Sequence, residues 1–420
     1  MDTREKLVIT GIGTILPNTT TVSDFWNNLV EGNSQVDFLK GFDVSNMSVK
    51  IASQIEKFNY REFLTNLDEH FAQKYSREIL MGMSALANAR KDAQLTREDI
   101  EPERIGIIES SSRGTLKWWS ESMHKEGKIS DDELFGSNSI IPGLNGTTAS
   151  MYAIYDNIQG MVTSISCACV GGHQALNVAM KEIWSGSADT MLVLGAEYPI
   201  VPELLKIYSA KKSCVLSKEE NNPKKALKPY DLYRNGFVLG EGAVALCIEK
   251  KKNAIKRGAR IYCELLGAES INEAEHATRM DLTGAKNAKM LNRLLKNINR
   301  TAEDVSYYCA HGTGTRYNDL AECRIISHLY DDINKRPPMG SVKPIYGHLF
   351  GGAGILNVAA SALMIYNQTL CPTINIETID PECDFDHVQE GARKTKVKSI
   401  VSMAHAIGSQ SAMVAIGEVN

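Results

Sequence analysis

Short runs of β-branched and aromatic residues alternate along the chain with longer stretches of helical periodicity. That is the pattern of an α/β body with largely buried sheets. Strands are predicted near the N-terminus at Leu7-Val8-Ile9-Thr10 and over residues 104–109, 190–195 and 305–309. Helices are predicted over 77–91, over 172–185 (stopped by Gly186) and over 354–368. The last sets Ile355, Leu356, Val358, Ala359, Leu363 and Met364 on a broad apolar face suited to burial.

Two segments echo each other. Leu239-Gly240-Glu241-Gly242-Ala243-Val244-Ala245-Leu246 and Ile407-Gly408-Ser409-Gln410-Ser411-Ala412-Met413-Val414 each read as a glycine turn feeding a buried strand. The echo predicts two similar halves, 1–250 and 251–420, divided near the basic stretch 250–260. A chain of 420 residues suits two or three units or one large layered body.

The apolar fraction of 43% and charged fraction of 23% are those of a soluble globule. A net charge of −4 gives no basic footprint for nucleic acid. The lysine clusters 211–212, 224–225 and 250–252 are either solvated loop charge or a landing site for an acidic protein partner. No secretory signal precedes the first strand, and no apolar run reaches the roughly 18 residues of a membrane span. Nine cysteines without a CxxC pair or a disulfide spacing predict reduced thiols and a cytoplasmic protein. Gly11-Ile12-Gly13 follows a strand, but Leu16 stands where a dinucleotide fingerprint needs its third glycine, so no nicotinamide site is expected. Cys309-Ala310-His311 lacks a second ligand pair, and no metal is expected.

Three strands break into glycines beside a reactive side chain. The first break is Ser164-Ile165-Ser166-Cys167-Ala168-Cys169-Val170-Gly171-Gly172, which puts Cys169 at the mouth of a helix. Unpaired N–H groups there favour a thiolate. Cys167 is expected to share the face of Cys169, to be more buried, and to serve packing. The other breaks hold His311, ahead of a helix carrying Glu322, and His348, in 340–354. A cysteine hydrolase needs one histidine and an Asn or Asp to orient it, so the second histidine is surplus. Decarboxylative carbon–carbon bond formation from a malonyl thioester uses all three. The sulfur accepts an acyl group, and two histidine N–H donors stabilise the enolate left when CO2 departs.

On these residues the chain resembles a β-ketoacyl synthase of the thiolase superfamily, almost from end to end. The nucleophile segment matches 166–172. The HGTxTxxxD motif matches His311, Thr313, Thr315 and Asp319, and the K-x-x-x-GH-x-x-GxAG pattern matches Lys343, Gly347-His348 and 351–354. Pro229-Tyr230-Asp231, Arg234-Asn235-Gly236-Phe237 and Gly240-Glu241-Gly242-Ala243 match a further family block. The resemblance implies a five-layer αβαβα sandwich built from two similar halves, and a dimer. It implies Cys169 as nucleophile, His311 and His348 as enolate donors, and Lys343, Glu322 and Asp319 in support. It also implies Thr313 and Thr315 on the pantetheine arm of an acyl-carrier protein, with turn chemistry as their alternative role. No cofactor is implied beyond that phosphopantetheine arm.

The segment 380–386 and Gln410-Ser411-Ala412-Met413 are most similar to the catalytic ketosynthase of bacterial type II polyketide systems. Such a subunit pairs with a Cys-less chain-length factor. A homodimeric fatty-acid elongating synthase, or a carrier-binding decarboxylase that forms no carbon–carbon bond, are the alternatives. The chain departs from the family at Asn235, where the usual Arg-Asp-Gly-Phe carries an aspartate, at Cys167, and in one stretch near the C-terminus. There the family's Gly-Phe-Gly-Gly gate is replaced by Ala404-His405-Ala406-Ile407-Gly408, apparently one residue shorter, which puts the gate position and an oxyanion-hole N–H at Ile407 beside that of Cys169.

Overall fold

Ten strands frame the molecule in the computed structural model, which describes residues 4–130, 135–210, 214–219 and 221–419. The first half contributes β1 (Leu7–Ile15), β2 (Ile105–Ser110), β3 (Val162–Ile165), β4 (Thr190–Glu197) and β5 (Gly242–Lys250). The second half contributes β6 (Cys263–Asn272), β7 (Tyr307–Cys309), β8 (Met339–Gly340), β9 (Ser399–Ala406) and β10 (Gln410–Gly417). Their spatial order is β8-β7-β9-β10-β6-β1-β5-β4-β2-β3. Counted outward from the centre, each half runs first, fifth, fourth, second, third. In each half the last three of these pair parallel, and the first and fifth strands run antiparallel to their neighbours. The two echoing segments are thus β5 and β10, which sit at equivalent positions. The halves join edge to edge through Leu7↔Leu265, Val8↔Glu264 and Ile9↔Cys263.

Six helices frame the site: α1 (Arg77–Asp92), α2 (Thr147–Asp156), α3 (Gly171–Trp184), α4 (Ala285–Asn297), α5 (Arg316–Ser327) and α6 (Ala353–Asn367). On the outside, α1 covers β1 and β5, and α4 covers β6 and β10. Between the two halves of the sheet lie α3 and α6, in contact with strands of both and with each other. This is the five-layer αβαβα arrangement. Every residue of α6 from Ala353 to Ile365 is buried, because a helix in the middle layer has no solvent face. The segment Phe350–Asn367 is by length and composition apolar enough to cross a membrane, contrary to the expectation from sequence, yet 89% of it is buried inside the molecule.

The N-termini of α3 and α6 meet at backbone distance. A Cβ on Gly172 would lie 2.8 Å from the Ile355 nitrogen, and one on Gly354 would lie 2.8 Å from the His173 nitrogen. Both helices are entered in the same way. A 3-10 turn (Ala168–Val170 in one case, Phe350–Gly352 in the other) precedes each, and its first residue has positive φ, +46° at Ala168 and +39° at Phe350.

Predicted helices and strands are displaced by about a residue at their ends, within the ordinary scatter of element boundaries. The exceptions are β1, which runs past the predicted Thr10 to Ile15 and takes in Gly11 and Gly13, and 305–309, where only Tyr307–Cys309 is strand, since the chain enters from a 3-10 turn capped by Thr301 and Asp304. The lysine run 250–252 is taken up in ion pairs with Asp189, Glu264 and Glu5, and Lys225 pairs with Glu377. Lys211 and Lys212 lie outside the described residues.

Candidate active site

Cys169 sits in the 3-10 turn between β3 and α3 and is 9% exposed. Positive φ at a residue with a side chain costs of order 1–3 kcal/mol. Here that residue is Ala168, at φ +46°, and a Cβ on Gly171 would lie 2.5 Å from Ser110 Oγ. The turn is thereby pressed onto the end of β2. The expectation of a standing thiolate is not met. Burial pushes the Cys169 thiol up to about 12, against the opposing pull of Lys343 and Arg113. A helix terminus supplies at most about 2 kcal/mol, too little to offset full desolvation. Cys167 also departs from expectation. It is half-buried, less so than Cys169, because β3 ends at Ile165 and strand alternation no longer governs it. It packs beside Val170, Ala404 and Ala412.

The structure brings His311 and His348 to Cys169. The sulfur and one ring nitrogen of each histidine all lie within 4.8 Å of one another. The two rings stand 5.1 Å apart at 82°. His311 follows β7, and its peptide is gripped from two sides. Glu322 of α5 accepts from the His311 N–H at 2.6 Å and from the Gly312 N–H at 2.7 Å. Lys343 donates to the His311 carbonyl and approaches its Nδ1 at 3.4 Å. An ammonium has no acceptor, so Nδ1 is the acceptor, and this network assigns the ring proton of His311 to Nε2.

His348 is held by backbone bonds to the chain before β5: its N–H donates to the Val238 carbonyl at 2.8 Å, and its carbonyl accepts from Gly240 at 3.2 Å. Phe237 and Phe350 enclose its ring at 5.3 and 4.7 Å. Its Nδ1 has no hydrogen-bond partner among the described residues. Burial, with the nearby Lys343 charge, holds both histidines well below the ordinary imidazole range, so both are neutral. The same burial lowers Lys343 and raises Glu322 to about 8.

Asp319 supports the loop from beneath. It accepts from the Thr313 and Tyr230 N–H groups, each at 3.1 Å, and faces Arg234 Nε at 3.5 Å. Arg234 continues to Asp380 at 2.7 Å. Thr313 and Thr315 pair their hydroxyls at 2.7 Å.

The segment expected as a gate is a β-hairpin. Ala404, His405 and Ala406 pair with Ala412, Ser411 and Gln410, and the chain turns over at Ile407-Gly408-Ser409. Ile407 is 58% exposed at the tip, whereas Ala406 packs into the cluster around Cys169. Ile407, expected as gate and oxyanion-hole residue, therefore stands on the exposed tip, and the hairpin residue that borders the Cys169 cluster is Ala406, one position back. The tip is fastened to the chain after β6: Gly408 donates to the Ala277 carbonyl at 2.8 Å, and Ser409 Oγ to the His276 carbonyl at 2.7 Å.

Some neighbours of the site gave no sequence signal. Glu197, at the end of β4, is wholly buried and accepts from the N–H groups of Ser112 (2.8 Å), Arg113 (3.1 Å) and Gly351 (3.0 Å). It therefore ties the two halves together next to the nucleophile turn. Arg113 lies over the Phe350 ring, 4.6 Å from its centroid. A charged residue at the end of an apolar strand such as Leu192-Val193-Leu194-Gly195-Ala196 is the available hint.

Comparison with known proteins agrees with this geometry. Residues 4–254 match the family described as Beta-ketoacyl synthase, N-terminal domain, and residues 262–377 match Beta-ketoacyl synthase, C-terminal domain. The tetracenomycin polyketide synthase ketoacyl synthase alpha subunit of Streptomyces glaucescens is 30% identical, over 98% of this chain and 96% of that one. The 3-oxoacyl-acyl-carrier-protein synthase 2 of Coxiella burnetii is also 30% identical, over 99% of both chains. Among solved structures, a type II PKS acyl-carrier protein in complex with its ketosynthase bound to the hexaketide superposes with a TM-score of 0.90. Identity to that chain is 27%, with 99% of this chain and 100% of that one covered.

Proposed function

The chain belongs to the β-ketoacyl synthase family of condensing acyltransferases, and on that premise we propose that it extends a polyketide chain held on Cys169. The extender is a malonyl thioester carried by an acyl-carrier protein. The observation that carries the proposal is the meeting of one buried thiol with two neutral imidazoles inside 4.8 Å.

In the loading step the Cys169 sulfur attacks the acyl thioester and gives up its proton. His348 takes that proton, because the acceptor nitrogen of His311 is engaged by Lys343. The proton then passes to the departing carrier thiolate. In the second step the malonyl carboxylate leaves as CO2, and the negative charge moves to the thioester oxygen. His311 Nε2–H and a His348 N–H stabilise that enolate without cost of reorganisation, being fixed and shielded from water. The enolate carbon attacks the acyl-Cys169 carbonyl, whose oxyanion is held by the Cys169 backbone N–H. Collapse expels the sulfur, which takes up one proton and returns to the thiol. No other cofactor enters than the phosphopantetheine arm of the carrier.

The polyketide assignment, and with it a cysteine-less partner subunit, is supported by the 380–386 segment and by the Streptomyces glaucescens relative. A homodimeric fatty-acid elongating synthase is the second reading, supported by the Coxiella burnetii relative. The nine free cysteines support a reducing compartment, the cytoplasm. Reconstitution with acyl- and malonyl-loaded carrier protein tests the chemistry: CO2 and a β-ketoacyl product appear together. CO2 without product makes the chain a decarboxylase. Native mass, alone and with a candidate partner subunit, separates the two condensing readings.

A further inference from the structure

A third imidazole stands beside the site, and the steps above do not use it. His405, on β9, is 5% exposed. Its Nδ1 lies 2.9 Å from Ser411 Oγ on the facing strand, and Ser411 donates its hydroxyl proton to Glu273 Oε1 at 3.0 Å. With that proton committed, Ser411 can only accept from His405. The ring proton is therefore on Nδ1, and Nε2 is left as an acceptor. Among the described residues this buried Nε2 has no hydrogen-bond partner, and it faces Glu322 Oε1 at 3.7 Å. The ring itself is 6.0 Å from that of His311, at 87°.

Two acceptors that face each other in a dry interior repel unless a proton lies between them. Glu322 is also the group that holds both the His311 and the Gly312 N–H. Whatever fixes its carboxyl fixes the loop that aims His311.

We propose that His405 is a positioning residue for the condensation: its Nε2 accepts a hydrogen bond from a protonated Glu322 carboxyl, the gap closing by less than an ångström, and so locks the His311 loop. Burial favours this placement of the proton, raising Glu322 to about 8 and holding His405 down at about 3. The other ionisable groups around the pair are Asp319, Lys343, Tyr230, Cys323, His311 and His173, with Glu273 beyond Ser411. The Lys343 charge opposes a proton on the His405 ring and on the Glu322 carboxyl alike, so burial, which favours the neutral form of each, leaves the carboxyl as its seat. The proposal rests on the condensation described above for its kinetic consequence, but not for the proton itself.

Two measurements test it. The infrared difference spectrum between wild type and Glu322→Gln contains the C=O stretch of a protonated carboxylic acid, and His405→Phe shifts that band to higher frequency. In turnover, His405→Phe lowers kcat for condensation by about tenfold or more, the usual scale for an outer partner of a reacting group. KM for malonyl-carrier protein and acylation of Cys169 stay within about twofold of wild type. His405→Gln, which keeps an acceptor, recovers most of the rate. A band that does not respond, or equal loss of acylation and condensation that glutamine does not rescue, overturns the proposal. Should His405→Phe fail to fold, Ser411→Ala releases the tautomer and shifts the same band, and an unmoved band counts equally against it. An inactive wild type that still shows the shifted band removes the condensation reading and leaves the proton pair standing.

Discussion

Gly172 and Gly354 face each other across the middle layer so closely that a Cβ on the first would lie 3.0 Å from the Cα of the second. Cys169 precedes one of these glycines by three residues, and His348 precedes the other by six. The crossing therefore sets the distance between nucleophile and enolate donor. Gly354→Ala forces its new methyl against the His173 backbone nitrogen and should cost about 1–3 kcal/mol. Because the helices must move apart, kcat should fall by about 100-fold, more than the loss of stability explains. Denaturant melts and turnover on the same preparation check this, and normal kcat in a destabilised protein would show that the crossing serves packing alone.

Cys169→Ala should abolish covalent acylation, read by intact mass. His348→Ala should slow both steps: acylation because the thiol proton loses its acceptor, and condensation, by about 100-fold or more, because the enolate loses a donor as CO2 departs. Wild-type rates for both steps in the folded variant would remove His348 from the mechanism.

Ala406, rather than Ile407, borders the Cys169 cluster. Ala406→Phe should therefore narrow the range of acyl chains loaded, with the longest disfavoured by about tenfold or more relative to the shortest. Ile407→Phe, at the exposed tip, should change nothing. Competition between acyl-carrier substrates of different length reads both, and matching profiles for the two variants would contradict the assignment.

Acid stability should show opposing slopes. His173 is neutral inside the protein, with burial holding it down at about 3, against about 6.5 in an unfolded chain. Between these values only the unfolded chain binds the proton, so stability is lost as pH falls through that window. Glu109, raised to about 7 by burial, runs the other way. Between the ordinary carboxyl value of 4.5 and 7 the native form holds a proton that the unfolded chain has released, so its contribution grows as pH falls and levels off below 4.5. The histidine slope stands unopposed by Glu109 below that point. His173→Gln should flatten the decline between about pH 4.5 and pH 3.5 by roughly 1.4 kcal/mol per pH unit. Denaturant titrations at the two pH values decide, and an unchanged slope would mean that His173 is protonated in the native state.

The parts of the site legible in the sequence are those in which chemistry and backbone need coincide locally. Cys169, His311 and His348 each stand where a strand breaks into glycine, and α6 announces itself through its uninterrupted apolar surface. What escaped depends on residues distant in the chain. Whether Cys169 is a thiol or a thiolate turns on desolvation, which no local motif reveals. Ile407 stands at the exposed tip because Gly408 and Ser409, at φ +90° and +58°, close a three-residue turn and leave Ala406 in the strand, a geometry no local motif announces. His405 gains meaning only from Glu322, 83 positions earlier, and Glu197 only from Ser112 and Gly351.

The matching turns at Ala168 and Phe350 give the fold two elbows of one design, and only one is armed. Counting along the equivalent turns, Gly351 occupies the place of Cys169. A Cβ there would meet the Ser112 nitrogen at 2.7 Å and Glu197 Oε2 at 2.9 Å. The second elbow is sealed against any side chain, nucleophilic or otherwise. The two halves are thus symmetric in scaffold and one-sided in the side chains they carry. On the proposed mechanism each polypeptide holds a single covalent intermediate, and the unarmed elbow is the wall against which it is built.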